Sequence, residues 1–293
     1  MAVTVDGLDQ AYAQVLERCR SHYENFPVAS WALPRHLRRP IAALYAFARE
    51  ADDLADEGKA DAATRREALD ALDRFVQQCE TYRGDDAMRL AVADTIQRHA
   101  LPRHCLRDLL SAFRQDVDQV RFESFDDVMD YCRRSANPVG RLLLNLFDAD
   151  TERNRSHSDA VCSALQLINF TQDVQPDLLL RNRIYVPLDE MARFGVSEAD
   201  LAAGAVTSGT QQLMRFQLQR AIKLLDAGAP LGRALPGRIG LEMRLIVLAA
   251  ARVGKAKRKA WRQPFLRPTL NRAAWPGLIA QAVWYGLPMH RTP

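Results

Sequence analysis

The amino-acid sequence predicts an all-α fold. Runs with apolar residues spaced by three and four recur along the chain, the pattern of helices that bury one face. Only residues 183–186 hint at a strand. Two of the helical runs carry aspartates one turn apart, Asp52 with Asp56 and Asp173 with Asp177, a spacing that a helix turns into a shared face. No linker, low-complexity segment or fixed-period repeat divides the 293 residues. A single domain over 1–293 is therefore expected.

Residues 8–24 read as a first helix, mostly a surface element, broken by Asn25-Phe26-Pro27. Phe26 is open to two roles, a core aromatic or part of a cavity wall. Pro34 marks a second turn, and the next helix runs over about 35–57, closed by Gly58 in the C′ position. Residues 61–82 and 86–100 give two amphipathic helices with charged outer faces. Pro102 opens another, to about 118, with Leu106, Leu109, Leu110 and Phe113 at core spacing. The pattern over 126–147 is interrupted at Asn137-Pro138, where proline removes a backbone donor. Ser135, Ala136 and Gly140 leave room there for a substrate, or simply for helix packing. Residues 153–180 form the second aspartate helix, with Pro176 near its end. Short helices over 190–195 and 198–203 precede long ones over 210–225 and 240–259 and a final one near 275–285. Trp261, Phe265, Trp275, Trp284 and Tyr285 in the tail are expected to cap the core, a membrane interface being the alternative.

At about 100° per residue, Tyr45, Arg49, Asp52 and Asp56 share a stripe roughly 60° wide. Gln166, Asn169, Asp173 and Asp177 make a second, at spacings of 3, 4 and 4. Alone, the first stripe reads as a solvated face with Arg49 paired to Asp52 or Asp53. Its recurrence changes the reading, because four carboxylates directed at one cavity repel unless cations lie between them. All-oxygen donors without a neighbouring His or Cys point to Mg²⁺, which takes one or two carboxylates and completes its shell with phosphate oxygens and water. The implied chemistry is a diphosphate held by Mg²⁺ and made into a leaving group.

The five cysteines are scattered, without C-x-x-C spacing. That argues against a zinc site or a disulfide framework and makes a reducing cytosol the expected home. The N-terminus lacks a basic-then-apolar leader, and no run of about 18 apolar residues is long enough to span a membrane. No nucleic-acid partner is expected. The net charge of +4 is uneven: ten Lys and Arg but no acidic residue follow Glu242. Such asymmetry implies an anionic partner for the C-terminal region, whether a lipid surface, a diphosphate or an acidic protein face, with a merely solvated basic helix as the plainer alternative.

On these residues the sequence resembles the trans-isoprenyl diphosphate synthases of the squalene and phytoene synthase type. The paired aspartate motifs match, as do Gln166 and Asn169 before the second and R-I-Y-V-P at 183–187 after it. The resemblance runs from about residue 25 to the last helix. Residues 22–30 (H-Y-E-N-F-P-V-A-S) and 131–140 (Y-C-R-R-S-A-N-P-V-G) are similar to the hydroxysqualene synthases of bacterial hopanoid pathways. What this implies is an isoprenoid-synthase-type helical bundle around a central cavity. Asp52, Asp56, Asp173 and Asp177 would hold Mg²⁺, with Asn169 as a secondary ligand. Arg49 and Arg183 would meet the diphosphate, Arg183 being equally able to cap helix carbonyls, and Gln166 would be a polar cavity contact. Phe26, Tyr45, Tyr131 and Phe170 are candidates for the wall around a carbocation, and Asn137 belongs to a segment that lines the cavity.

The implied reaction ionises presqualene diphosphate, opens its cyclopropyl ring and captures water to give hydroxysqualene. Head-to-head condensation of farnesyl diphosphate, with or without reduction to squalene, and phytoene-type synthesis are the alternatives. A single-substrate terpene cyclase and a catalytically silent assembly factor of the same fold are two more. Asn137-Pro138 stands where the family is richer in Val, Ala and Gly, which favours the hydroxysqualene branch. There is no G-x-G-x-x-G for a nicotinamide cofactor and no long C-terminal extension with an anchor. A presqualene diphosphate synthase and a hydroxysqualene reductase are expected partners. The basic run at 255–259 (K-A-K-R-K) is expected to touch the inner face of a membrane.

Overall fold

A computed structural model describes residues 5–21, 33–118 and 120–286. Phe26 and the segment 22–30 lie outside them. Among the described residues there is no strand, and the fold is all-α. The helices are α1 Val5–Ser21, α2 Arg35–Asp56, α3 Ala62–Gln78, α4 Ala87–Arg98, α5 Arg103–Asp116, α6 Phe125–Ser135 and α7 Asn137–Leu146. They continue as α8 Glu152–Arg181, α9 Leu188–Arg193, α10 Glu198–Ala203, α11 Ser208–Gly228, α12 Leu231–Ala234, α13 Gly237–Lys259 and α14 Trp275–Gly286. Two compact units form, each from two stretches of chain: Met1–Asp118 with Pro138–Asp150, and Gln119–Asn137 with Thr151–Pro293.

In the first unit α2 packs against α1, α3, α4 and α5. Leu37, Ile41, Leu44, Phe47, Ala51 and Ala55 form its buried face, at the spacing a helix requires. Full burial of a side chain such as Phe47 contributes roughly 2 kcal/mol, enough for this face to fix the rotation of the helix. The opposite stripe, which carries the acidic residues, stays half-exposed. α2 stops where the Glu57 N–H donates to the Asp53 carbonyl at 2.8 Å and Gly58 takes φ +80°, the left-handed region open to a residue without Cβ. α1 is more than a surface element. It buries Ala11, Tyr12, Val15 and Cys19, and the Tyr12 hydroxyl donates to Asp94 at 2.8 Å.

The second unit is built on the α8–α11 pair. At Gly228 a Cβ would stand 2.6 Å from Val161 Cγ2 and 2.7 Å from the His157 carbonyl, so glycine is what lets these helices approach. Val174, Ile184, Val186, Met191, Val196, Leu201, Leu213 and Met214 form a shared core, with Phe265 packed against it. The strand hint at 183–186 is not met by a strand: this stretch is irregular backbone that hydrogen-bonds to residues 120–123. There Ile184 N donates to the Val120 carbonyl at 3.1 Å and Leu188 N to the Phe122 carbonyl at 2.8 Å. The interruption at Asn137-Pro138 is a one-residue break at Ala136. Pro138 then sits in the first turn of α7, where a missing N–H costs nothing.

Of the tail aromatics, only Phe265 serves the expected capping role in that core. Trp261, Trp275, Trp284 and Tyr285 are exposed. No described helix is long and apolar enough to cross a membrane.

Candidate active site

The first acidic motif lies on the last two turns of α2. Arg49 works as its internal counter-ion: Nε lies 2.8 Å from Asp53 Oδ1, one Nη 2.8 Å from Glu57 Oε1 and the other 3.4 Å from Asp52 Oδ2. Burial opposes the Arg49 charge, but Asp53, Asp52 and Glu57 outweigh it and hold the guanidinium above its ordinary pKa. Tyr45, Asp52 and Asp56 are half-buried on the same stripe. Asp53, which the spacing leaves off that stripe, is met from α1 by Arg18 at 3.7 Å.

The second motif lies in the C-terminal half of α8. This helix runs five residues past Pro176 and ends at Asn182 in a left-handed conformation (φ 53°, ψ 40°). The backbone N–H groups of Asn182 and Arg183 cap the Leu178 and Asp177 carbonyls at 3.0 and 3.1 Å, while the Arg183 side chain is buried. Gln166, Asp173 and Asp177 are half-buried and Asn169 is exposed. Arg181 lies 3.7 Å from Asp177 Oδ1.

Asp173 is engaged from far along the chain. Arg267 Nη lies 2.5 Å from Asp173 Oδ1, and Gln172 donates to the Pro268 carbonyl at 3.1 Å. Lys257 anchors the same segment, its Nζ donating to the carbonyls of Pro264 at 3.1 Å and Leu266 at 3.0 Å. The expectation that 255–259 forms one exposed basic patch needs correction here, because Lys257 is buried. It shares the inward face of α13 with Ala250 and Gly254. Burial pushes its pKa down to about 8, Asp173 acting weakly the other way.

Beside this motif stands an aromatic box. Phe170 stacks on Tyr185 with centroids 4.0 Å apart and planes within 3°. Tyr131 leans on Tyr185 at 5.5 Å and on Phe170 at 6.1 Å, and Phe122 closes the group at 5.4 Å from Tyr131 and 5.9 Å from Tyr185. Tyr131 and Phe170 were candidates from the sequence; Phe122 and Tyr185 were not. They meet because the 120–123 and 183–188 backbones pair, although Tyr185 sits in the R-I-Y-V-P stretch already singled out. Asn137 is buried, its Oδ1 accepting a hydrogen bond from the Ser163 hydroxyl at 2.9 Å. That contact turns its amide NH₂ away from Ser163.

The donors fit magnesium. No group of three or more His, Cys, Asp or Glu among the described residues forms a ready-made metal cage. Each motif instead offers two carboxylates a turn apart, the number Mg²⁺ takes when phosphate and water complete its shell. In the chain as it stands, one guanidinium lies on Asp173 and another on Asp52.

The profile of the squalene/phytoene synthase family matches residues 19–278. A hydroxysqualene synthase of Rhodopseudomonas palustris is 40% identical over 78% of this chain and 78% of its own. One from Sinorhizobium fredii is 37% identical over the same shares. Among solved structures, the squalene synthase HpnC of Alicyclobacillus acidocaldarius superposes with a TM-score of 0.82 at 35% identity, covering 90% of this chain and 98% of its own.

Proposed function

The chain belongs to the squalene/phytoene synthase family, and from that premise we propose that it is a hydroxysqualene synthase acting on presqualene diphosphate. The observation that carries this reading is the similarity, over more than three quarters of the chain, to relatives that bear that name. The paired aspartate helices and the aromatic box supply the matching chemistry. Asp52, Asp56, Asp173 and Asp177 would hold Mg²⁺, with Asn169 as a further ligand; bound there, it supplies positive charge to the departing diphosphate oxygens. Arg49 beside the first motif and Arg183 beside the second would each offer N–H groups to diphosphate oxygens.

When the C–O bond breaks, its electron pair leaves with the diphosphate. The cyclopropylcarbinyl cation rearranges, its ring opens, and a water oxygen adds to the cation and loses a proton. The faces of Tyr131, Phe170, Tyr185 and Phe122 stabilise positive charge without offering it a nucleophile. Gln166 and Asn137 would be polar contacts that orient substrate and water, and Tyr45 a further aromatic face for the cation. The enzymes that make presqualene diphosphate and reduce hydroxysqualene are the partners this reaction needs. Because substrate and product are both greasy, the basic C-terminal region meets an anionic membrane from the cytoplasmic side.

Purified protein with Mg²⁺ should convert presqualene diphosphate to hydroxysqualene, unaffected by NADPH, with products read by mass spectrometry. Squalene- or phytoene-type products from linear prenyl diphosphates would make it a condensing synthase instead. A cyclic C15 product from farnesyl diphosphate alone would make it a cyclase.

A further inference from the structure

Between α13 and α14 lies a groove of about 460 Å³ that the chemistry above does not use. Leu248, Ala251 and Leu278 form its apolar floor, and Arg252, Lys255 and Lys259 line its α13 wall. These cations recur at three- and four-residue spacing, so they share one face, and all three are exposed. Neither helix sets a carboxylate against them: α14 has none, and Glu242, the only one in α13, is buried.

α14 is unusual in another way. Its sequence, W-P-G-L-I-A-Q-A-V-W-Y-G, contains no charged residue, yet Trp275, Val283, Trp284 and Tyr285 are 39, 47, 74 and 43% exposed. A helix solvated on its outer face ordinarily charges that face. Gln281 lines the groove, and Trp284, three residues on, occupies the adjoining strip of the helix.

We infer that this groove docks an anionic phospholipid at a bilayer surface. Arg252, Lys255 and Lys259 take the headgroup phosphate, and the uncharged aromatic side of α14, led by Trp284, enters the interface. This rests on the membrane contact proposed above and narrows it to one groove and one ligand chemistry. Charge complementarity argues against a second copy as occupant, since a two-fold pairing of this face would set three cations against three. An acidic protein would satisfy the cations but leave the uncharged aromatic strip of α14 unmatched.

The test is flotation of the full chain with phosphatidylcholine vesicles, with and without phosphatidylglycerol. Binding is expected only to the anionic vesicles and to weaken in high salt. Combined Arg252→Gln, Lys255→Gln and Lys259→Gln should weaken it on the order of 100-fold, at about one kcal/mol per basic residue. An equal charge change away from the groove, Arg215→Gln with Lys223→Gln and Arg238→Gln, should leave most of the binding. A blue shift of tryptophan emission on anionic vesicles should disappear in Trp284→Phe. Vesicle binding by the groove variant equal to wild type, or an equal loss in both triple variants, would overturn the groove and leave the membrane contact standing. No binding by the wild-type chain would overturn both. A dimer seen by light scattering and dissolved by the groove substitutions would assign the face to a second copy instead.

Discussion

The two acidic helices meet the same electrostatic demand by different routes. α2 carries its own cation: Arg49 reaches Asp52, Asp53 and Glu57 without leaving the end of one helix. α8 borrows its cation, since Arg267 arrives at Asp173 only after five further helices. The first arrangement exists as soon as the helix forms, because i,i+3 and i,i+4 neighbours face each other. The second exists only while the segment after α13 is docked, held by Lys257 on Pro264 and Leu266 and by Gln172 on Pro268. A carboxylate neutralised locally is prearranged for its ligand. One neutralised from a distance is coupled to the folding of another part of its unit.

The largest expected effect breaks the contrast by treating both motifs alike. Asp52→Asn and Asp173→Asn should each lower turnover on the order of 100- to 1000-fold, as for other groups that stabilise a developing anion. Circular dichroism should remain helical. Full activity in either variant would remove that motif from the chemistry.

Next comes Lys257, which sharpens the contrast through pH. Its pKa falls from 10.5 to about 8 on folding, so between those values the unfolded chain binds the proton and the folded one does not. Relative to Lys257→Met, the wild-type chain should therefore gain stability as the pH climbs through that window. The buried Cys19 and Cys132 thiols, whose pKa values burial raises, act the opposite way in both proteins. In EDTA-treated protein this difference between the two should amount to roughly 3 kcal/mol. Urea unfolding across the range measures it, and identical pH profiles would refute the buried-lysine account.

The smallest effect is on the borrowed cation itself. Arg267 is more than half exposed, so Arg267→Gln should cost no more than about 1 kcal/mol in metal-free protein. It should also strengthen the stabilisation that Mg²⁺ gives in thermal melts, because Asp173 no longer holds a competing cation. A weaker Mg²⁺ response would show that Arg267 assists the metal rather than competing with it.

Much of the fold was legible because it is local. The bounds of α2, the break before α7 and both aspartate stripes follow from periodicity, from proline chemistry and from a turn of about 3.6 residues. The Arg49 pairs were legible for the same reason. Lys257 was misjudged because a run of basic letters outweighed the helical position it shares with Ala250 and Gly254. Phe122 and Tyr185 carried no periodic signal, since both lie outside helices.

By itself, then, the sequence determined the helices, the spacing that puts two carboxylates on one face of each acidic helix, and the family to which those motifs belong. Tertiary structure alone decided that Arg267 neutralises Asp173, that Lys257 points inward, and that four aromatic rings from separate segments close into one box. The physical reason is the range of the interactions. Helical pairs are set by backbone geometry within a few residues, whereas contacts between distant segments depend on how whole helices pack, which no local pattern encodes.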